Sequence, residues 1–272
     1  MQHFSISPRE MVASFWRNRG LIYTLTKREI AARYRGSFLG MLWSVFNPLF
    51  MLLVYTFAFG VIFNSRWDTN SSSKTEYAIV LFAGLIMFNM FSECVNRAPG
   101  LVLYNVSYVK KVIFPLEILP WVALGAAAFN WLVGFLVWFV FYGIFFGIPH
   151  ITALLLPVTL IPFALIVVGF TWWLASIGVY LRDVSQFIGI IVLAFMFVAP
   201  LFYPITSISE QYRYLLYLNP VTLAIIEARD VTFWGRVPDV GFFLCYMACG
   251  LVIAWLGFAW FQKTRKGFAD VI

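Results

Sequence analysis

Ionisable side chains are scarce in this chain of 272 residues, where Asp, Glu, Lys and Arg make up 11% of the sequence. Soluble globular domains carry roughly 25%. The extreme is Ile118–Leu181, 64 residues without one of them. A soluble domain cannot bury so long a continuous apolar piece, whereas a bilayer takes about 20 apolar helical residues per crossing. The stretch suffices for two crossings, with Gly147-Ile148-Pro149-His150 as the turn. Cysteine is rare too, and Cys94, Cys245 and Cys249 all lie in apolar segments, which argues against a disulfide framework. Two histidines offer little for a metal site. No Gly-rich loop ends in Gly-Lys-Ser/Thr, which excludes a P-loop nucleotide site in this sequence. His-Glu-x-x-His, Gly-x-Ser-x-Gly and the dinucleotide fingerprint are likewise missing. Buried carboxylates are almost absent from the apolar runs, so coupling to protons or sodium is disfavoured and energy must enter from outside the spans.

What is present is apolar and aromatic. Hydrophobic residues reach 62%, with 30 Phe, 13 Tyr and 11 Trp. Windows almost free of charge mark six spans, at about 38–63, 77–95 (with Glu93 near its end), 116–146, 151–180, 184–203 and 240–261. The expected fold is therefore an all-α integral membrane protein with six transmembrane helices. Lys and Arg divide unequally between the two sides, 14 on the side of the termini and five on the other. By the positive-inside rule both termini are cytoplasmic, and the formal charge of +7 needs no nucleic acid to explain it. The first 35 residues are basic without an apolar core of signal length, so the first span is expected to direct insertion itself.

Two regions are neither loop nor span. Residues 1–35 form a cytoplasmic amphipathic segment beside a transmembrane domain of residues 36–272. Met11, Val12, Phe15 and Trp16 share a helical face, Leu21, Leu25 and Ala32 repeat it, and Gly20 divides the two pieces. Such a segment is a membrane-surface anchor, a contact surface for a cytoplasmic partner, or both; Lys27-Arg28-Glu29 and Arg33 point to the contact. On the outer side, about 204–239, Ser207-Ile208-Ser209-Glu210 matches a capping box and Asn219-Pro220 a helix start. The apolar stretch there is too short to cross, so a re-entrant or interfacial helical hairpin between the fifth and sixth spans is expected. Glu93 with Arg97 four residues on reads as an ordinary ion pair near the interface. Most aromatic rings serve as lipid-facing belts. A minority suit a channel lining that stacks on sugar rings, with Trp43, Phe46, Tyr55 and Trp131 as candidates; Trp172-Trp173 is expected to divide between packing and lipid.

The run Arg33-Tyr34-Arg35-Gly36-Ser37-Phe38-Leu39-Gly40-Met41-Leu42-Trp43, then Asn47-Pro48-Leu49, resembles the start of the first span in polysaccharide-exporting ABC permeases. Leu181-Arg182-Asp183-Val184 resembles that family's short cytoplasmic turn, and Pro200-Leu201-Phe202-Tyr203-Pro204 with Leu218-Asn219-Pro220 its outer re-entrant region. The likeness covers essentially the full length in the right order. It implies a bacterial inner-membrane homodimer paired with two copies of a separate cytoplasmic ATPase, which binds the ATP and Mg. The cargo it implies is a lipid-linked O-antigen, capsule or teichoic acid chain. By likeness, Lys27, Arg28, Glu29 and Arg33 together with Tyr104, Tyr108, Lys110 and Lys111 would touch the ATPase, with Arg182 and Asp183 at a second contact. A solvated turn is the plainer reading of Arg182-Asp183. Tyr203, Pro204, Asn219, Pro220 and Glu227 would then gate the exit. A drug or small-lipid exporter on the same fold and an integral-membrane enzyme acting on lipid-linked sugars are the competing readings.

Overall fold

The computed structural model describes residues 5–62, 67, 74–109 and 114–272. Lys110 and Lys111 lie outside the described residues. Every regular element described is helical: α1 (Pro8–Arg17), α2 (Arg19–Tyr34), α3 (Trp43–Tyr55), α4 (Lys74–Arg97), α5 (Val106–Val109), α6 (Leu119–Phe146), α7 (Leu156–Tyr180), α8 (Val184–Val198), α9 (Glu210–Tyr217), α10 (Thr222–Arg229), α11 (Val240–Thr264) and α12 (Phe268–Val271).

Among the described residues, five stretches are long and apolar enough to cross a bilayer: Gly40–Phe59, Thr75–Gly100, Leu116–Phe146, Ile151–Tyr180 and Val240–Val271. They correspond to five of the six expected spans. The remaining one is shorter than expected. Helix α8 stops at Val198, because Ala199 is extended and precedes Pro200. Its 15 residues reach about 22 Å at 1.5 Å per residue, less than the roughly 30 Å hydrocarbon thickness.

Helix α4 is the centre of the molecule. Val80, Leu81 and Ala83 are fully enclosed, and α6 packs along it with the Trp138 indole N–H donating to the Ile79 carbonyl at 2.9 Å. Helix α3, by contrast, buries only Ser44 and Leu52, and α8 only Ile188 and Val192. Trp172 is enclosed and its indole donates to the Glu117 carbonyl at 2.9 Å, while Trp173 stays exposed, the division expected from the sequence.

The closest helix pair, α7 with α11, meets backbone to backbone through small residues, the usual solution where lipid supplies no hydrophobic drive. A methyl group at Gly169 would stand 2.7 Å from the Ile253 carbonyl oxygen, and one at Gly250 equally near that of Pro162, also 2.7 Å. One at Gly257 would collide with the Gly169 carbonyl. Backbone cannot step aside as a side chain can. Gly257→Leu is therefore expected to cost more than the usual ~1–3 kcal/mol of overpacking, read as a sharp fall in melting temperature of the detergent-solubilised protein. Gly143→Leu, where nothing among the described residues lies within 4 Å, is the control expected to melt like the parent.

The N-terminal segment is helical as expected, with two differences. The break falls at Asn18, whose amide turns back onto the Ser14 carbonyl at 2.8 Å, and Gly20 lies inside α2. The buried face of α2 is set by Ile22 and Leu25, packed on Ile118 and Val122, while Leu21 and Ala32 are exposed. After α8, α9 begins at Glu210 with Ser209 as its cap residue and no side-chain cap bond, so Ser207 forms no capping box. Helix α10 begins at Thr222, two residues later than Asn219-Pro220 suggests.

Candidate functional site

The face of α2 that starts with Ile22 and Leu25 continues through Glu29 and Arg33, spaced by whole helical turns. The apolar half packs on α6, and the charged half meets the C-terminal end of α4. Arg33 pairs with Glu93 at 2.5 Å, and Glu29 pairs with Arg97. Glu93 and Arg97 also face each other at 3.7 Å, the ion pair expected from their spacing, so four charges alternate along one seam. Asn130 of α6 donates to the second Glu93 oxygen at 2.8 Å and accepts from the Tyr34 hydroxyl at 3.3 Å. Burial works against the Arg33 charge, and the hydrogen bond and field of Glu93 more than offset it, holding the guanidinium above its ordinary pKa.

The segment between α4 and α6 is tied to the same helix. Arg28 hydrogen-bonds the Tyr108 hydroxyl and lies 5.9 Å from its ring centroid, and that ring stacks on Phe114 at 4.2 Å. Glu117 then closes a buried knot. Its carboxylate accepts from Ser14 of α1 at 2.9 Å and from Arg265, just past α11, at 2.6 Å, and Arg265 also donates to the Phe114 carbonyl at 2.7 Å. Both termini and the α4–α6 connection are thus bound into one unit. Lys27, Tyr104, Arg182 and Asp183 are exposed.

Beside the seam lies a cavity of about 640 Å³ between α3, α4 and α6. Arg33, Tyr34, Asn47, Asn89 and Asn130 give it a polar wall, and Trp43, Tyr55 and Trp131 an aromatic one. Three of the four aromatic channel candidates therefore share a cavity. Phe46 does not line it; it meets Trp43 edge-on at 5.3 Å and is exposed. Trp131 is held by its indole on the Met87 sulfur at 3.1 Å.

Past α9, Asn219 joins α10 to α8. Its side-chain oxygen accepts from the Val221 amide at 3.0 Å, and its amide donates to the Phe195 carbonyl at 2.8 Å. Pro220 fills the turn between them. Tyr203 folds back so that its hydroxyl reaches the Val198 carbonyl at 2.8 Å, and Pro204 follows it. Glu227 is 7% exposed and, among the described residues, its Oε2 has no hydrogen-bond partner; the same holds for the Tyr246 hydroxyl.

The largest departure from expectation is Arg229, counted from sequence among the outer loop charges. It is 5% exposed and donates to three backbone carbonyls, Val80 at 2.8 Å, Pro200 at 2.5 Å and Leu201 at 2.9 Å, with Trp67 4.4 Å away across its face. Glu117, Arg265 and Asn130 were also unmarked by sequence reasoning. For Asn130 a signal existed, a lone amide inside a helix of 28 otherwise apolar or small residues.

Residues 20–233 match the family model described as ABC-2 type transporter. The O-antigen export system permease protein RfbA of Myxococcus xanthus is 26% identical over 96% of this chain and 99% of its own length. The protein of the same description from Klebsiella pneumoniae is 22% identical over 93% and 95%. The polysialic acid transport protein KpsM of Escherichia coli is 26% identical over 90% and 93%. A multi-pass helical chain matched from α2 to the end of the α10 region belongs to the ABC-2 type transporter family.

Proposed function

We propose that this chain is the channel-forming permease subunit that exports a lipid-linked polysaccharide across the bacterial inner membrane, driven by ATP hydrolysis in a separate partner subunit. The observation that carries this reading is near-full-length similarity to permeases of O-antigen export and polysialic acid transport. The cytoplasmic unit supports it. Two helical segments and the α4–α6 connection converge on one surface, through Arg28–Tyr108 and the Glu117 knot, where a partner's displacement would be felt by α4 and α6 together. Lys27, Arg28, Tyr104, Tyr108, Lys110 and Lys111 would meet the ATPase, with Arg182 and Asp183 at the second contact. ATP and Mg would sit on that partner.

Two copies of each subunit would assemble, both termini of this chain facing the cytoplasm. The exposed faces of α3 and α8 suit a second copy across a central channel. Stacking on aromatic walls holds any sugar weakly and tolerates sliding, whereas dense charge pairing would trap the chain. The outer segment with Tyr203, Pro204, Asn219, Pro220 and Glu227 would gate the exit.

Deletion of the gene, followed by fractionation of the long-chain glycan and analysis of its lipid end, tests the reading. The expected result is lipid-linked glycan trapped inside and missing from the surface. Normal surface glycan would remove this cargo and favour a small-molecule exporter.

A further inference from the structure

Beyond the end of α10 the backbone winds into a π-helical turn, Asp230–Trp234, closed by Gly235 in the left-handed region at φ 68°. That closure folds Arg236 back, its amide donating to the Asp230 carbonyl at 2.9 Å and its guanidinium 3.6 Å from the Asp230 carboxylate. The turn also sets Phe233 and Trp234 side by side, ring centroids 4.4 Å apart and planes inclined at 52°. All four side chains line a cavity of about 710 Å³ on the outer side. Pro204, after α8, and Glu76, at the outer end of α4, complete its rim. The cavity falls within the ~300–1,000 Å³ range of small-molecule sites. Turns of π-helix recur at functional sites, and this one rests on the buried Arg229, so its geometry is fixed from below.

We propose that this cavity is a glycan subsite, taking a neutral sugar unit of the exported chain by stacking on Trp234 and Phe233 and hydrogen-bonding through Asp230 and Arg236. The proposal rests on the polysaccharide reading above and adds where the emerging chain is held. A pyranose offers one apolar C–H face and a rim of hydroxyls that both donate and accept. The cavity offers two tilted rings beside a carboxylate that accepts and a guanidinium that donates. At 3.6 Å the Asp230–Arg236 pair is longer than the ~2.7–2.9 Å of a charge-assisted hydrogen bond, so both groups keep capacity for a hydroxyl between them. An exposed pair of this kind contributes little to stability, and Arg236 is two-thirds exposed, so the fold does not require it. Among the described residues, the cations lining the cavity are Arg229, whose donors are taken by three carbonyls, and Arg236, which faces Asp230. A phosphate would need an uncompensated cation, which favours an uncharged polyol over a lipid headgroup.

The test uses the full-length permease in nanodiscs and, as probe, lipid-free glycan released by mild acid from wild-type cells. Binding is read by saturation-transfer NMR, and surface glycan is measured in cells carrying the same variants. Arg236→Gln and Trp234→Ala are each expected to weaken probe binding by about tenfold and to lower surface glycan, with permease abundance unchanged. Glu210→Gln, on the same side but outside the cavity, is expected to match wild type. If gene deletion strips the surface while both variants bind and export normally, the subsite is wrong and the export reading stands. If deletion leaves the surface glycan in place, the export reading fails and takes the subsite with it. Loss of a co-purifying phospholipid from Arg236→Gln, with probe binding intact, would make the cavity a lipid seat and overturn the proposal. Because Arg236 is exposed, its variant separates a binding defect from any misfolding of Trp234→Ala.

Discussion

Arg229→Met is expected to strip the permease from the membrane. The guanidinium satisfies the carbonyls of Pro200 and Leu201, which lie just past the end of α8 where no helical turn supplies another donor. It also reaches Val80 on the central helix, so one side chain joins α4, the chain after α8 and the end of α10. Methionine keeps the volume but donates nothing, leaving the Pro200 and Leu201 acceptors buried at about 1–3 kcal/mol each, while the Val80 carbonyl keeps its place in the α4 ladder. The total of about 2–6 kcal/mol is a large share of the about 5–15 kcal/mol that holds a typical domain folded. Arg229→Lys keeps the charge but not the planar fork, and is expected to fall between the two. Gly84→Val approaches the same point from the other side, because a Cβ there would stand 2.6 Å from the Arg229 Nη2. Membrane abundance by immunoblot and the melting temperature of what remains are the measurements. Wild-type values for both Arg229→Met and Gly84→Val would show that the three carbonyl contacts do not hold the outer segment in place.

Arg229 also shows where sequence reading runs out. A span is legible because lipid selects composition over some 20 consecutive residues, a signal that survives any detail of packing. That is why α4, α6, α7 and α11 fall where the nearly charge-free windows put them. A buried arginine in a short polar-flanked segment carries no such signal, since its partners are backbone carbonyls, which every residue has. The phase of α2 was misjudged for a related reason. Its inward face changes chemistry halfway, from Ile22 and Leu25 to Glu29 and Arg33, and a search for apolar periodicity follows Leu21 and Ala32 onto the exposed side instead. Glu117 sits at the mouth of a 28-residue apolar helix, where a carboxylate reads as an ordinary interfacial charge until Ser14 and Arg265 are seen to converge on it. Helices α9 and α10 are legible in kind but not in register. Asn219 does turn the chain into α10, through the Val221 amide, yet the helix starts later because Pro220 and Val221 complete the turn first.

The charged seam between α2 and α4 supports the second large expectation, a reversal and its rescue. Arg33→Glu is expected to reduce export by more than about tenfold while the permease remains in the membrane, because it sets a second carboxylate against Glu93 in a partly buried position. Alanine at either site should do far less, since partly exposed pairs typically contribute about 0.2–1 kcal/mol, and Ile22 and Leu25 still hold α2 on α6. Exchanging all four signs, with Glu29→Arg, Arg33→Glu, Glu93→Arg and Arg97→Glu, restores every opposite pair of the seam and is expected to return export to within about twofold of wild type. Asn130 permits the exchange, because its amide carries both a donor and an acceptor and can turn to serve either charge. The comparison separates two roles that the sequence left together. A strut inside the permease is indifferent to which helix carries which sign, so the swap rescues. A residue that reads the ATPase surface directly keeps the wrong charge toward its partner in the swap, so export stays low. Rescue assigns Arg33 and Glu93 to transmission between α2 and the spans, and failure of rescue with normal membrane abundance moves Arg33 to the contact with the partner.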